Sequence, residues 1–255
     1  MKRKTKIIIA VASTIVVGTV VGIVIYNKLK KDNNEEELKP LYTESKPFEN
    51  IIESEDIFVY HQFDNGSLAI AGEQGVSGDV EFPREYKGSL VEQITPSAFK
   101  DNTHLDKVSI GYPLLINYDA FRNSSITEFI LKDENALVLE TPIGFSPYCF
   151  ADCTELKSFY CEAYMPGIEP YMFSNCTSLE EVVFITPAVE IPDYSFQNCT
   201  SLREITIPGT VTMIAENAFE GCANLEVVKG FNGSYAETWA NENGYTWVGE
   251  DLNLQ

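Results

Sequence analysis

A unit of about 23 residues recurs along this chain, and it restricts the fold more than any other feature of the sequence. The copies share one order: an isoleucine or phenylalanine, a second phenylalanine, a cysteine or small polar residue, a leucine or isoleucine, and one or two apolar residues of a strand. Six phenylalanines anchor the copies at spacings of 22, 29, 23, 23 and 23 residues: Phe99, Phe121, Phe150, Phe173, Phe196 and Phe219. Fixed periods of roughly 20–50 residues mark solenoids, whose units bury their apolar faces only against neighbouring units.

The end of each copy alternates apolar and polar residues, as at Val182 and Phe184 or at Ile205 and Ile207. This alternation predicts one short strand per coil with two side chains directed inward. Strands one repeat apart then lie side by side in parallel and form a ladder sheet along one face. A proline after the strand, as at Pro208, turns the chain out of the sheet. The predicted fold is a β-rich solenoid of about seven coils.

Two segments carry a resemblance to a known family: residues 218–225 (AFEGCANL) and residues 195–208 (SFQNCTSLREITIP). They resemble BspA-type leucine-rich repeats, and the likeness extends over roughly residues 80–230. The resemblance implies a curved leucine-rich solenoid of the kind found in surface-exposed proteins of bacteria and some protists. It also implies noncovalent binding of other macromolecules without catalytic activity, and it does not imply which ligand is bound.

Residues 57–79 are predicted to cap the first coil, and the leucine-rich repeats are assigned to residues 80–230. Residues 57–63 (IFVYHQF) and 67–71 (SLAIA) are predicted to form strands around Asp64-Asn65-Gly66, since Asn-Gly is a strong hairpin signal. A solenoid needs such a β-hairpin cap because its first coil would otherwise expose apolar surface and a strand edge.

Residues 231–255 are predicted to close the other end of the solenoid. Ser234 followed by Glu237 is a capping box, which predicts a short helix to about residue 243 with Gly244 as its stop. One face of this helix is expected to carry three residues: Tyr235, Trp239 and Ala240. Residues 245–248 (YTWV) are expected to return as a last extended segment.

The chain begins with a basic segment at residues 1–6, followed by twenty uncharged and mostly aliphatic residues at 7–26. At 1.5 Å per residue a helix over 7–26 spans about 30 Å, which matches the hydrocarbon core of a bilayer. An uncleaved transmembrane anchor is favoured over a cleaved signal peptide, because the apolar core is long and no small-x-small site follows it. The charged residues 27–56 are expected to form a flexible linker.

Charge alone barely orients the predicted span, because Lys28, Lys30 and Lys31 nearly balance the basic residues in front of it. The family resemblance decides the expected orientation, with the repeat domain outside the cell. Gly18 and Gly22 form a Gly-x-x-x-Gly pair that would allow two such helices to associate as a homodimer. The alternative is that the two glycines are incidental, since glycine is common in membrane helices.

Acidic residues dominate outside the N-terminal segments. Residues 1–31 hold seven Lys and Arg and no Asp or Glu, so the remaining chain carries 11 basic against 38 acidic residues, a net charge of −27. This charge argues against nucleic acid and against anionic lipid surfaces as partners. Two interpretations stay open: the charge serves solubility alone, or it attracts a basic partner or loosely held divalent cations.

Residues with reactive side chains are few. Cys153, Cys176, Cys199 and Cys222 share one repeat position and are expected to form an inward column of free thiols, with oxidation between neighbouring rungs as the alternative. The chain has 2 histidines and no zinc-finger spacing, P-loop or nucleophile-elbow motif, so no metal, cofactor or enzymatic activity is expected. Cys149 is the cysteine without an assigned packing position, and it carries the enzyme alternative.

Residues that point out of the ladder sheet are the candidates for binding, because they alternate with the buried ones and have no packing role. They are Lys107, Ser109, Glu128, Ile130, Ser158, Tyr160, Glu181, Val183, Glu204 and Thr206. Glu128, Glu181 and Glu204 occupy equivalent positions and predict an acidic column, interrupted by Ser158, beside an amphipathic strip. The alternative is an ordinary solvated sheet face.

The longest interval between phenylalanines, from Phe121 to Phe150, holds about six extra residues, which we place near 132–141. Insertions in solenoids become loops on one face, and binding sites often use such loops. The alternative is a tolerated surface loop without a function of its own.

Together these features predict a single-pass membrane protein, anchored through residues 7–26, that displays a leucine-rich-repeat binding module at the cell surface. Its expected function is adhesin-like recognition of an extracellular protein or glycan. A structural spacer or self-association module of the cell envelope is the second hypothesis. An enzyme that uses Cys149 is the third.

Overall fold

The computed structural model describes residues 51–52, 57–73, 77–112, 114–132, 144–161, 167–184 and 190–250. The predicted basic segment at 1–6 and the predicted anchor at 7–26 lie outside these residues, as does the insert expected at 132–141 apart from its first residue. Within the described part of the chain, no helix is long and apolar enough to cross a membrane.

The described residues form a β-solenoid of about seven turns with one short helix. In chain order the strands are β1 (Ile51–Ile52), β2 (Phe58–Gln62), β3 (Leu68–Glu73), β4 (Gly78–Phe82), β5 (Glu85–Tyr86), β6 (Ser89–Ile94), β7 (Leu105–Ile110), β8 (Leu115–Ile116), β9 (Glu128–Leu131), β10 (Gly144–Phe145), β11 (Ser158–Cys161), β12 (Glu181–Phe184), β13 (Glu190–Ile191), β14 (Glu204–Thr206), β15 (Met213–Ile214), β16 (Val227–Phe231) and β17 (Thr246–Glu250). The helix α1 (Tyr235–Glu242) lies between β16 and β17 in the chain.

One face of the solenoid is a parallel ladder sheet, as predicted. Its strands pair in the order β12-β11-β9-β7-β4, and β14 lies beside β12 and continues through β16 to β17. Successive strands keep one register, so that Lys107, Glu128, Ser158 and Glu181 lie in line across four strands. Buried residues alternate with more exposed ones in β9, β11 and β12, which confirms that two side chains per strand enter the core.

A second sheet lies across the core from the ladder, and the sequence pattern does not predict it. Most coils contribute a strand just before their phenylalanine, which gives the parallel order β3-β6-β8-β10 and the pair β13-β15. The coil of Phe173 has no strand at residues 167–169, and the second sheet is divided there. Four of these strands are two residues long and too short to show an alternation. The repeat pattern marks only the one inward residue of each of these strands, as at Ile116, Ile191 and Ile214. They are extended because they pair with strands of neighbouring coils.

The six repeat phenylalanines stack in the core between the two sheets. From Phe99 to Phe219, the centroids of successive rings lie 5.1, 5.4, 5.8, 5.3 and 5.1 Å apart. Phe150 also contacts Phe129 of the ladder at 4.8 Å and Phe145 of the second sheet at 6.0 Å. The long sequence interval before Phe150 does not interrupt this stack, which confirms that all six phenylalanines occupy one repeat position.

Left-handed backbone explains the Asn and Asp residues that follow the phenylalanines by two positions. Asp101, Asn123, Asp152, Asn175 and Asn198 have φ values of 59°, 55°, 62°, 62° and 58°, a region that Asn and Asp tolerate better than most residues. Their side chains also join coils, since Asn175 Nδ2 donates to Asp152 Oδ1 and Asn198 Nδ2 donates to Asn175 Oδ1, both at 2.8 Å.

The four aligned cysteines are buried free thiols, as predicted. Burial raises the pKa of Cys153 to about 11 and raises the pKa of Cys176 and of Cys199 well above the ordinary value of a thiol, so these three thiols stay protonated and can donate. The side-chain hydrogen bond with Cys199 lowers the pKa of Cys222. Each Sγ donates to the main-chain carbonyl of a phenylalanine in the preceding coils: Cys153 to Phe121 at 3.0 Å, Cys176 to Phe150 at 3.1 Å, Cys199 to Phe173 at 3.2 Å and Cys222 to Phe196 at 2.9 Å.

The predicted N-terminal hairpin is present, with β2 and β3 paired antiparallel around Asn65 and Gly66. Gly66 has a φ of 87°, and Asn65 Oδ1 accepts a hydrogen bond from the Ser67 N–H at 3.0 Å. The hairpin is continuous with the coils, because β3 pairs in parallel with β6 and so belongs to the second sheet. The linker predicted at 27–56 needs one correction, since Ile51–Ile52 pairs as β1 with the free edge of β2.

The C-terminal cap begins with the predicted capping box. Ser234 Oγ accepts from the Glu237 N–H at 3.4 Å, and Glu237 Oε2 accepts from the Gly233 N–H at 2.6 Å. The first bond satisfies an N–H group that the helix start would otherwise leave open, and the second holds the residue before the N-cap Ser234. The extended segment expected at 245–248 is β17, which pairs in parallel with β16 and extends the ladder by one strand.

The face that α1 presents to the solenoid differs from the prediction at one residue. Trp239 packs on Phe219 with ring centroids 5.4 Å apart, and Ala240 is fully buried, as expected. Tyr235 is 40% exposed, and Ala236 takes the buried position in its place. Alanines at 236 and 240 lie one helical turn apart, and their small side chains let the helix backbone approach β16 closely.

Candidate functional site

The ten predicted binding residues lie on one continuous surface of the ladder, which we call the ladder face. One column runs through Lys107, Glu128, Ser158 and Glu181, and its neighbour runs through Ser109, Ile130, Tyr160 and Val183. Glu204 and Thr206 carry the same two positions onto β14. All ten side chains are exposed or partly exposed, whereas the residues between them are buried. Ladder geometry thus brings together side chains that are up to 99 positions apart in sequence.

The same columns extend further than the sequence analysis proposed. In β4, Glu81 pairs with Ser109, and in β16, Lys229 pairs with Thr206. Thr246 and Val248 of β17 add a further rung. The sequence does indicate β4, because the apolar residues Val80 and Phe82 flank Glu81. Glu81 was not among the candidates because these were counted from the repeat phenylalanines, and the first coil has none.

Lysines modify the predicted acidic column. Lys107 Nζ lies 3.0 Å from Glu128 Oε2, and Lys229 Nζ lies 2.6 Å from Glu204 Oε1. Both are exposed pairs of the kind that contributes about 0–1 kcal/mol to stability, but each places a positive charge beside its carboxylate. Among the described residues, Glu181 is the member of the column that makes no ion pair. The column is therefore locally negative at Glu181 rather than along its whole length.

A shallow depression of ≈ 230 Å³ lies in the ladder face. It is lined by Glu128, Ile130, Lys132, Ser158, Phe159, Tyr160 and Glu181. Five of these are predicted binding residues, while Lys132 is a residue that the sequence analysis did not select. Lys132 follows β9 directly, and its Nζ lies 5.1 Å from the centroid of the Tyr160 ring, within reach of a cation–π interaction.

The enzyme alternative at Cys149 meets an unfavourable environment. Cys149 is fully buried, and burial raises its pKa well above the ordinary value of a thiol, with the nearby Glu169 carboxylate adding to the rise. A nucleophilic cysteine needs the opposite, a lowered pKa and an accessible sulfur. In the described part of the chain, no three His, Cys, Asp or Glu side chains are placed to hold a metal ion.

The two histidines of the sequence, His61 and His104, differ in exposure. His61 of β2 is 7% exposed, and burial lowers its pKa, whereas His104 lies exposed in a turn. His61 lies in β2 between its two partner strands β1 and β3. Neither histidine lies on the ladder strands.

Glu169 is a partly buried carboxylate that is not among the residues predicted from the sequence. Burial and the charge of Glu190 raise its pKa to about 8. The signal lies in the repeat itself, because the corresponding position holds uncharged residues in the other coils, including Thr95, Asn117 and Ser146. Glu169 therefore places an ionisable carboxyl group at a position where the other coils have uncharged side chains.

Glu169→Gln is expected to flatten the dependence of stability on pH. The folded-state pKa of about 8 lies above the ordinary value of 4.5, so the unfolded chain binds fewer protons in this window and stability falls as the pH rises from 4.5 to 8. Melting temperatures at pH 5.5 and pH 8.5 test this, with the exposed Glu216→Gln as the control. An equal loss of melting temperature at high pH in the Glu169→Gln and wild-type chains would contradict the assignment.

This chain matches the model of a family described as BspA type Leucine rich repeat region. The match comprises 6 copies over residues 85–142 and 138–238, which is more than half of the chain. A comparison with curated proteins finds no match.

Solved structures of similar fold are bacterial leucine-rich repeat proteins. A Treponema pallidum leucine-rich repeat protein is 22% identical with a TM-score of 0.47, covering 69% of this chain and 70% of its own. A leucine-rich cell surface protein of Faecalibacterium prausnitzii is 20% identical with a TM-score of 0.48, covering 71% and 54%. The pneumococcal vaccine antigen PcpA is 15% identical with a TM-score of 0.54, covering 72% and 50%.

The likeness to PcpA concerns the fold alone. This chain spans about half the length of the second and third structures. The matched ranges contain the residues that recur in the structure: the stacked phenylalanines, the buried thiols and the left-handed Asn corners. This chain is therefore a member of the BspA-type leucine-rich repeat family.

Proposed function

We propose that this chain is a surface-exposed binding module that recognises an extracellular protein or glycan noncovalently through its ladder face. The observation that carries the proposal is the depression of ≈ 230 Å³ on that face, lined by five of the residues that alternate outward. It combines an aromatic ring, an aliphatic side chain, a hydroxyl and two carboxylates. Such a mixture of apolar and polar groups is typical of protein recognition surfaces.

Rigid placement of the side chains supports this function. The candidate residues lie on strands that are held in two ways. Ladder pairing holds each strand against the strands beside it, and the inward side chains of the strands pack against the phenylalanine core, as Phe159 does against Phe173. A surface of this kind loses little conformational freedom when a ligand binds, so more of the contact energy appears as affinity. Rigid sheet positions also hold contacts more accurately than loops do.

The proposed place of action is the outer side of a membrane, with residues 7–26 as a single-pass anchor and the repeat domain outside the cell. The length and apolar character of residues 7–26 and the basic residues before them support this. Retention of the full-length chain in membranes after alkaline extraction tests the anchor, and its loss on deletion of residues 1–31 is the expected result. Digestion of the repeat domain by protease added to intact cells tests the orientation.

The test of binding is a screen of the full-length chain in detergent against extracellular matrix proteins and cell-wall glycans. A ladder variant carries alanine at four positions: Glu128, Tyr160, Glu181 and Glu204. A control variant carries the same four kinds of substitution on exposed residues elsewhere: Glu155, Glu216, Glu220 and Tyr235. Binding that the ladder variant loses and the control variant keeps is the expected result.

Two other outcomes would redirect the proposal. Binding that survives in the ladder variant would move the site to the insert near 132–141 or to the caps. Absence of binding to every matrix protein and glycan would favour a spacer or self-association module, for which Gly18 and Gly22 would be the residues to substitute next. Far-ultraviolet circular dichroism of each variant shows whether the fold is retained.

A further inference from the structure

We propose that the ladder-face depression binds one cationic side chain, an arginine or lysine on an extended basic segment of a partner protein. The contacts would be the ring of Tyr160 and the carboxylate of Glu181. This inference rests on the proposed function of the ladder face and names the class of partner that the face takes.

Lys132 already shows that a cation is accommodated at this position. Its Nζ lies 5.1 Å from the centroid of the Tyr160 ring, although the side chain is exposed and free to extend into solvent. The Lys132 N–H donates to the Ile110 carbonyl oxygen at 2.9 Å, and its Nζ makes no ion pair with the residues that the structure describes. The lysine therefore acts as an internal stand-in for a ligand cation, and a partner side chain would displace it at little cost.

Charge complementarity favours the same ligand. Glu128 is neutralised by Lys107 at 3.0 Å, but Glu181 on the opposite side of the depression has no ion pair among the described residues. An incoming guanidinium or ammonium could contact the Tyr160 ring and the Glu181 carboxylate together, and cation–π contacts strengthen when the cation is partly desolvated. The net charge of −27 on residues 32–255 would in addition draw basic segments towards the protein.

The size of the depression fits one side chain better than a small-molecule ligand. Its volume of ≈ 230 Å³ lies below the range of about 300–1,000 Å³ that is typical of small-molecule pockets. The partly exposed Ile130 lies in the wall and offers apolar surface to the methylene stem of a lysine or arginine. Backbone atoms of the partner would then lie along the ladder face outside the depression.

The test uses a fluorescein-labelled peptide of alternating arginine and serine, titrated with the full-length chain in detergent and followed by anisotropy. Tyr160→Leu keeps the apolar volume and removes the ring, and Glu181→Gln removes the charge. Each is expected to weaken binding by about five- to thirtyfold. Glu216→Gln makes the same charge change elsewhere on the surface and is expected to weaken binding by less than about twofold, through long-range attraction alone.

Lys132→Met provides the sharper arm of the experiment, because it removes the internal competitor and is expected to tighten peptide binding. Lys87→Met is its matched control, since the Lys87 Nζ likewise lies 5.1 Å from a tyrosine ring, that of Tyr86, away from the ladder face. The control makes the same change in net charge. Tightening by Lys132→Met beyond that caused by Lys87→Met supports the proposal, and equal effects contradict it.

Three results would overturn the inference: equal binding by the wild-type, Tyr160→Leu and Glu181→Gln chains, equal weakening by Glu216→Gln, or equal binding of a peptide with citrulline in place of arginine. These results are separable from failure of the proposed function. A matrix protein or glycan that binds through the ladder face while the arginine peptide does not would leave the binding function in place and remove only the cationic ligand.

Discussion

Replacement of Phe173 by alanine is expected to lower the free energy of unfolding by about 3–5 kcal/mol. The side chain is 0% exposed, and its ring lies 5.8 Å from that of Phe150, 5.3 Å from Phe196 and 4.8 Å from Phe159. Removal of the ring leaves a cavity that the neighbouring coils cannot close, because ladder hydrogen bonds hold their backbones in place. Each coil is stable only against its neighbours, so the loss is expected to propagate to both sides.

Urea unfolding of the full-length chain, followed by far-ultraviolet circular dichroism, measures this effect. The exposed Glu180→Ala is the surface control and should change the free energy by less than about 0.5 kcal/mol. Phe219→Ala should cost less than Phe173→Ala, because Phe219 is 7% exposed at the end of the stack. A loss below about 1 kcal/mol for Phe173→Ala would contradict a continuous phenylalanine core.

Gly230→Ala is expected to destabilise the C-terminal end by about 1–3 kcal/mol, through overpacking rather than a cavity. A Cβ at this position would lie 2.7 Å from the Ile207 carbonyl oxygen and 2.9 Å from Cη2 of Trp247. Neither atom can move away easily, since the first is main chain and the second belongs to an indole packed against the core. In the preceding coil Ile207 fills the equivalent inward position, and at Gly230 the indole of Trp247 takes that space.

The two tryptophans make this effect measurable at one end of the molecule. Trp239 and Trp247 both lie in the C-terminal cap, so tryptophan fluorescence reports that end while circular dichroism reports the whole chain. In Gly230→Ala the fluorescence transition is expected to move to lower urea concentration than the dichroism transition. Gly111→Ala is the matched control, because a Cβ there meets no atom within 4 Å. Coincident transitions in Gly230→Ala would argue against a local clash.

Much of the fold could be predicted because each repeat carries its own pattern. The spacing of Phe99 to Phe219, the aligned cysteines and the alternation at Val182 and Phe184 are local properties of the sequence, and they determined the solenoid, the parallel ladder and its inward and outward sides. The hairpin at Asn65 and the capping box at Ser234 follow from short-range turn and helix-start chemistry.

The second sheet and the chemistry of the candidate site could not be predicted in the same way. Two-residue strands become strands only through partners one coil away. Lys107 neutralises Glu128, and Lys132 reaches Tyr160, only because the ladder brings residues some 20 to 30 positions apart within a few ångströms. The raised pKa of Glu169 likewise arises from burial and from the charge of Glu190.

In the repeats, the sequence by itself determined which strand side chains point inward or outward, because the alternation of apolar and polar residues is a property of each coil's own sequence. Tertiary structure alone decided which outward side chains meet, which charges are neutralised and where the depression in the ladder face lies. The physical reason is that periodicity fixes direction within one coil, whereas contacts, desolvation and electrostatic pairing depend on distances between coils that are set only when the coils stack.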